Sequence, residues 1–152
     1  MVTREPQRIL VATDFSTASD EALDRAIGLA QRSGATLEIL HVVELAEEIP
    51  FGATAFDSDY GVFYANVDRQ LSVRADRSTR AGVPCETKII EGSAAVEISR
   101  RAREIGADLI VVGTHGRTGL AHVVLGSVAE RIVRHATCPV LTVPFSKKQA
   151  AA

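Results

Sequence analysis

Five short apolar runs alternate along this chain with four stretches whose apolar positions recur at helical spacing, and that alternation restricts the fold more than any other feature. The first run, Arg8-Ile-Leu-Val-Ala-Thr-Asp14, is continuously apolar and closed by a carboxylate, the pattern of a strand buried on both faces. A helix follows to about Ser33, capped by Ser16 or Thr17, with Asp20 and Glu21 near its positive end. Leu23, Ile27 and Ala30 form its apolar face, and Gly34 supplies the left-handed stop. Further strands are predicted at Thr36–Val43, at Pro84–Ile90 (an edge, because it alternates more than the others), at Leu109–Val112 and at Pro139–Val143. The remaining helices run through Val67, Leu71 and Ala75 to Gly82, from Gly92-Ser93 to Gly106, and from Gly126-Ser127 to about Ala136. Such alternation implies an α/β fold with a parallel sheet, helices on both faces and right-handed crossovers.

One domain is expected over residues 1–145, followed by a disordered tail at 146–152. The net charge of -2 gives no electrostatic reason to expect a nucleic-acid partner. The polar N-terminus leads into a short strand rather than a signal peptide or membrane span, so the expectation is a cytoplasmic protein with no membrane association. Cys85 and Cys138 lack metal-ligand or redox-motif spacing and read as reduced bystanders. From Glu44 to about Asp59 the pattern breaks down into a long connection, with Phe51, Phe56, Tyr60, Phe63 and Tyr64 in or just after it. It reads as a loop that tucks rings onto the core, or as a ligand lid or partner surface.

The chemistry concentrates in Asp108–Arg131. A buried strand ends in Gly113, a glycine-rich loop continues through Gly116 and Gly119, and Gly126-Ser127 opens a helix. Backbone N–H groups at a helix start have no intrahelical partner and lie at the positive dipole end, so they hold anions without needing a lysine. Ligands of parallel sheets bind at carboxyl strand ends where the winding reverses, which would bring Asp14 and Gly113 together if the first and fourth strands are neighbours.

Gly113-Thr-His-Gly116, nine further residues and Gly126-Ser127 resemble the Gly-x2-Gly-x9-Gly-Ser/Thr signature of ATP-binding universal stress proteins. Ile9–Ser16, His41-Val42, Gly106–Gly113 and Cys138–Pro144 look like segments of that family in family order. The resemblance implies a single Rossmann-like, doubly wound five-stranded sheet of order 3-2-1-4-5. It also implies roles for particular residues: Asp14 beside the adenosine end, Val42 near the base, and Gly113, His115 and Gly116 around the ribose and phosphates, with Gly126, Ser127 and Val128 holding the phosphates. Ala12 stands where many relatives have proline, which loosens the turn into the site. Arg117, the one cation in the loop, reads as a mobile phosphate contact. ATP, ADP or AMP would be the ligand, with Mg²⁺ carried mainly by the phosphates and no protein metal site.

Some of these residues have simpler explanations. Ser127 and Glu130 fit a capping box, Asp14 could cap the first helix, and His41, His122 and His135 read as structural or exposed. No P-loop, dinucleotide fingerprint or nucleophile elbow is present, and no catalytic residue is assigned. The resulting expectation is a nucleotide-dependent stress sensor or adaptor with slow or no hydrolysis. The rivals are a slow ATPase or autokinase and a nucleotide-independent dimeric scaffold. A homodimer is expected through the apolar edge strand Val140–Val143, terminated by Pro144.

Overall fold

A computed structural model describes residues 4–45, 58–114 and 125–146. The chain runs β1 (Arg8–Ala12), α1 (Thr17–Ser33), β2 (Thr36–Val43), α2 (Ser58–Arg80), β3 (Cys85–Glu91), α3 (Ala94–Ile105), β4 (Leu109–Gly113), α4 (Ser127–His135) and β5 (Val140–Val143). The strands form one parallel sheet of order β3-β2-β1-β4-β5, with β3 at an edge as its alternation predicts. Both edge strands are less buried than the central three, whose apolar runs have a helix layer on each side.

Period-two alternation sorts each strand's side chains between two cores. Ile9, Val11, Ile39 and Val111 point to the face covered by α1 and α2, where they meet Leu23, Ala26, Val67 and Leu71. Leu10, Leu40, Ile110 and Val112 point to the opposite face, against Ile98 and Ala102 of α3 and Ile132 of α4. Left-handed glycines end α1 and α3: Gly34 at φ 73° and Gly106 at φ 63° donate their N–H groups back into the last turn.

α2 begins at Ser58, within about a residue of where the sequence places the end of the long connection. Tyr60, Phe63 and Tyr64 are therefore helical residues. Phe63 packs on the core beside Val67, and Tyr60 and Tyr64 both donate to Glu91 at the end of β3. Those hydrogen bonds hold the Glu91 carboxyl below the usual carboxylate range, the Tyr64 bond contributing most. Residues 46–57, with Phe51 and Phe56, lie outside the described residues.

At the start of the expected tail, the Ser146 N–H donates to the Glu21 carboxylate at 3.1 Å; residues 147–152 lie outside the described residues. Cys85 and Cys138 are both free thiols, and burial raises the pKa of each. None of the described helices is long and apolar enough to cross a membrane.

One buried charge breaks the apolar pattern of β2. Glu38 is only 6% exposed and faces α3, whose Arg101 grips it with two hydrogen bonds of 2.7 and 2.9 Å. Removing one partner strands a buried charge, whereas replacing both with apolar groups restores packing. Arg101→Met should therefore lower stability by about 3 kcal/mol, and Glu38→Leu with Arg101→Met should recover most of that loss. Urea midpoints of the two variants check the ordering.

Candidate functional site

Because β1 pairs with β2 on one side and β4 on the other, the chain leaves their carboxyl ends in opposite directions and opens a crevice between them. A cleft of about 530 Å³ lies there. Ala12 and Asp14 line it from β1 and its turn, Val42 from β2, and Gly113 from β4. Gly126, Ser127 and Val128 close it from the start of α4. The fold thus brings together every proposed site residue that it describes; His115, Gly116 and Arg117, and also His122, fall outside the described residues.

The start of α4 is held to β4 by a hydrogen bond from Gly126 N–H to the Thr114 carbonyl at 2.6 Å. Gly126 is the N-cap, in extended conformation, and makes no side-chain cap. The capping box offered as a simpler explanation of Ser127 does not form. Ser127 is already the first helical residue, so Glu130 lies one position too deep to reach back and pairs with Arg134 at 2.8 Å instead. The Ser127 hydroxyl and the N–H groups of the first turn are left facing the cleft, with no protein acceptor among the described residues.

A second helix start on the same cleft is treated oppositely. Glu44, just beyond β2, accepts a hydrogen bond from Ala94 N–H, the first residue of α3, at 2.8 Å. Ser93 makes no side-chain cap there, so a carboxylate from another element fills the position. Sequence reasoning missed Glu44. The only signal was an acidic residue immediately after a buried strand, and its partner is distant in sequence.

The β1–α1 turn is tightly specified. Ser16 caps α1 through Ser19 N–H at 3.2 Å, so Asp14 is not the helix cap; its Oδ1 accepts from Ser16 N–H at 3.0 Å and shapes the turn. His41, read from sequence as structural or exposed, is 1% exposed and lines the cleft. Its Nδ1 lies 2.8 Å from the Thr13 carbonyl, and a carbonyl only accepts, so Nδ1 carries the proton. Thr13 in turn takes the Phe15 N–H on its hydroxyl at 3.0 Å.

Gly113 has a packing role besides lining the cleft. A Cβ there would lie 3.1 Å from the Ala18 carbonyl oxygen, because α1 crosses β4 at close range.

The universal stress protein family profile matches residues 5–144. The chain belongs to the universal stress protein family. A universal stress protein of Methanocaldococcus jannaschii is 35% identical over 147 residues, an alignment covering 94% of this chain and 85% of the relative. Among solved structures, a universal stress protein from Lactobacillus plantarum superposes with a TM-score of 0.77 at 27% identity, covering 93% of this chain and 99% of that one. Another universal stress protein, solved in complex with cAMP, superposes with a TM-score of 0.69 at 30% identity, covering 91% of this chain and 97% of its own.

The glycines of this universal stress protein domain should separate by mutation. Gly113→Ala pushes a methyl into backbone and should cost about 1–3 kcal/mol. At Gly28 in α1 an added methyl would meet only the Arg32 side chain within 4 Å, at 3.7 Å, so Gly28→Ala should stabilise by up to about 1 kcal/mol. Opposite shifts of the urea midpoint are expected, and equal shifts would contradict the packing account.

Proposed function

We propose that this universal stress protein binds an adenine nucleotide, ATP with Mg²⁺ in the first instance, and acts in the cytoplasm as a nucleotide-dependent stress sensor or adaptor with slow or no hydrolysis. The observation that carries this reading is the contrast between two helix starts on one cleft. The start of α3 is supplied with the protein's own carboxylate, while that of α4 presents donors without a side-chain cap. A ligand with its anionic end toward α4 and its neutral end toward β2 satisfies both. Ser127 and Val128 would meet phosphate, Asp14 a ribose hydroxyl, and Val42 the base, with Ala12, Gly113 and Gly126 shaping the walls between them. His115, Gly116 and Arg117 complete the phosphate side in this reading. The complex of a relative with cAMP supports an adenine nucleotide as the ligand class.

The residues present fit a phosphate-borne Mg²⁺ better than a protein-held one. No cluster of three or more His, Cys, Asp or Glu side chains suited to a metal is found among the described residues, and Mg²⁺ binds readily through phosphates and water with one or two carboxylates. In this reading Asp14, which lines the cleft, would contribute a carboxylate oxygen to the ion or to a metal-bound water. The ion would neutralise phosphate charge.

Proline is accommodated at the first position of a helix, and Gly126 already has the extended backbone that must precede it. Ser127→Pro therefore deletes one N–H and the hydroxyl while leaving α4 intact. Hydrogen bonds to charged groups contribute about 1.5–3 kcal/mol, so calorimetric titration should show ATP·Mg²⁺ binding weakened roughly ten- to a hundredfold, with Ser127→Ala losing less. Unchanged affinity in Ser127→Pro would contradict the assignment.

The same proposal includes a homodimer through Val140–Val143. In β5 Leu141 is 36% exposed, and Phe145 beyond it is 37% exposed. An open apolar edge of this kind is covered most simply by a second copy across a two-fold axis. Sedimentation at micromolar concentration should give twice the chain mass, and Leu141→Lys should return it to the monomer.

A further inference from the structure

Among the described residues, Phe15 is the one non-glycine residue with positive φ, at 65°. It follows Asp14 directly, and its conformation is fixed both by His41 of the cleft lining and by Arg74 outside that lining. On one side its ring stacks on His41, with centroids 4.3 Å apart and planes 27° from parallel. The Arg74 guanidinium carbon lies 4.9 Å from the ring centroid, and Arg74 Nη2 donates to the Phe15 carbonyl at 3.2 Å.

Arg74 belongs to α2, none of whose described residues lines the cleft wall. It is 8% exposed and is itself pinned: Nε and Nη2 donate to Asp20 at 2.7 and 3.2 Å, and Nη1 donates to the Gln70 carbonyl at 3.1 Å. A buried arginine needing only charge compensation would be satisfied by Asp20. This one also directs a donor and its cationic face at a backbone-strained residue next to the cleft. The column from Arg74 through Phe15 to His41 therefore ends where His41 holds the Thr13 carbonyl, one residue before Asp14.

We infer that Arg74 is a positioning residue for the nucleotide site: through Phe15 it fixes the turn that holds the Asp14 carboxylate at the cleft rim. This inference rests on the nucleotide reading above and adds to it a dependence of the site on α2. The position of α2 and ligand affinity are then coupled, because any shift of that helix moves the support of Asp14.

The test is a double-mutant cycle on ATP·Mg²⁺ affinity with wild type, Arg74→Gln, Asp14→Asn and the double variant, each checked for folding by circular dichroism. Phe15→Leu serves as a second entry to the same cycle should Arg74→Gln fail to fold. Arg74→Gln should weaken binding about tenfold in the wild-type background and less than about twofold once Asp14 is Asn, since the two act through one contact. Arg74→Lys, which keeps the charge but not the fork, should not rescue it. A purely structural arginine would lower the urea midpoint and leave affinity unchanged, which would overturn the inference, as would losses that multiply. Wild type that binds ATP as well as Asp14→Asn does would overturn this inference alone; wild type that binds no ATP would overturn the nucleotide reading with it.

Discussion

The pairing of β1 with β4 is the constraint on which the rest of the structure depends. Ile9, Leu10 and Val11 lie in register with Leu109, Ile110 and Val111, and β2 covers the other edge of β1. Parallel strands buried on both faces need a helix layer on each side, so the winding must reverse at β1, and a reversal leaves the carboxyl ends of β1 and β4 without a crossing connection. The cleft follows from topology before any side chain is specified. Asp108 reinforces the same junction from below: its carboxylate accepts from Gln7 and Arg8 N–H at 2.8 and 2.9 Å. Those bonds, the Gln7 one first, hold its pKa below the ordinary range. The stabilisation is therefore present above the ordinary carboxylate pKa and is lost as the pH falls through the lowered value.

Within that frame, the sheet decides where backbone dipoles end and side chains decide which of them stay available. Two helix starts open on one cleft, and the protein neutralises one with Glu44 while leaving the other without a side-chain cap. This division gives the cleft a polarity that glycine spacing alone would not. The strained turn at Phe15 adds rigidity on the opposite wall, where stacking, a partly buried ion pair and three hydroxyl side chains over-determine one conformation.

Much of this was legible in the sequence, for reasons that differ by element. The buried runs of β1 and β4 and the glycine stops after α1 and α3 are local signals with one physical interpretation. The strand order came from the likeness carried by Gly113, Gly116 and Gly126-Ser127, not from periodicity. The end of the long connection was legible to within about a residue of Ser58, but not what Tyr60 and Tyr64 do there, because their acceptor Glu91 is at least 27 positions away. Glu38 with Arg101, Glu44 with Ala94 and Arg74 with Phe15 were likewise invisible, since each joins residues at least 50 positions apart. Gly113 was readable as a site glycine, whereas its contact with Ala18 could come only from the packing of α1 on β4.

The central claim is that the first turn of α4 receives the anionic end of the ligand while the start of α3 is already occupied. Amide chemical shifts followed through a titration with ATP·Mg²⁺ test it most directly, because each N–H reports on its own acceptor. The account predicts large, saturable shifts at Ser127, Val128 and Ala129 and little change at Ala94. Shifts centred on Ala94, or none at the start of α4 while binding is saturated, would contradict it.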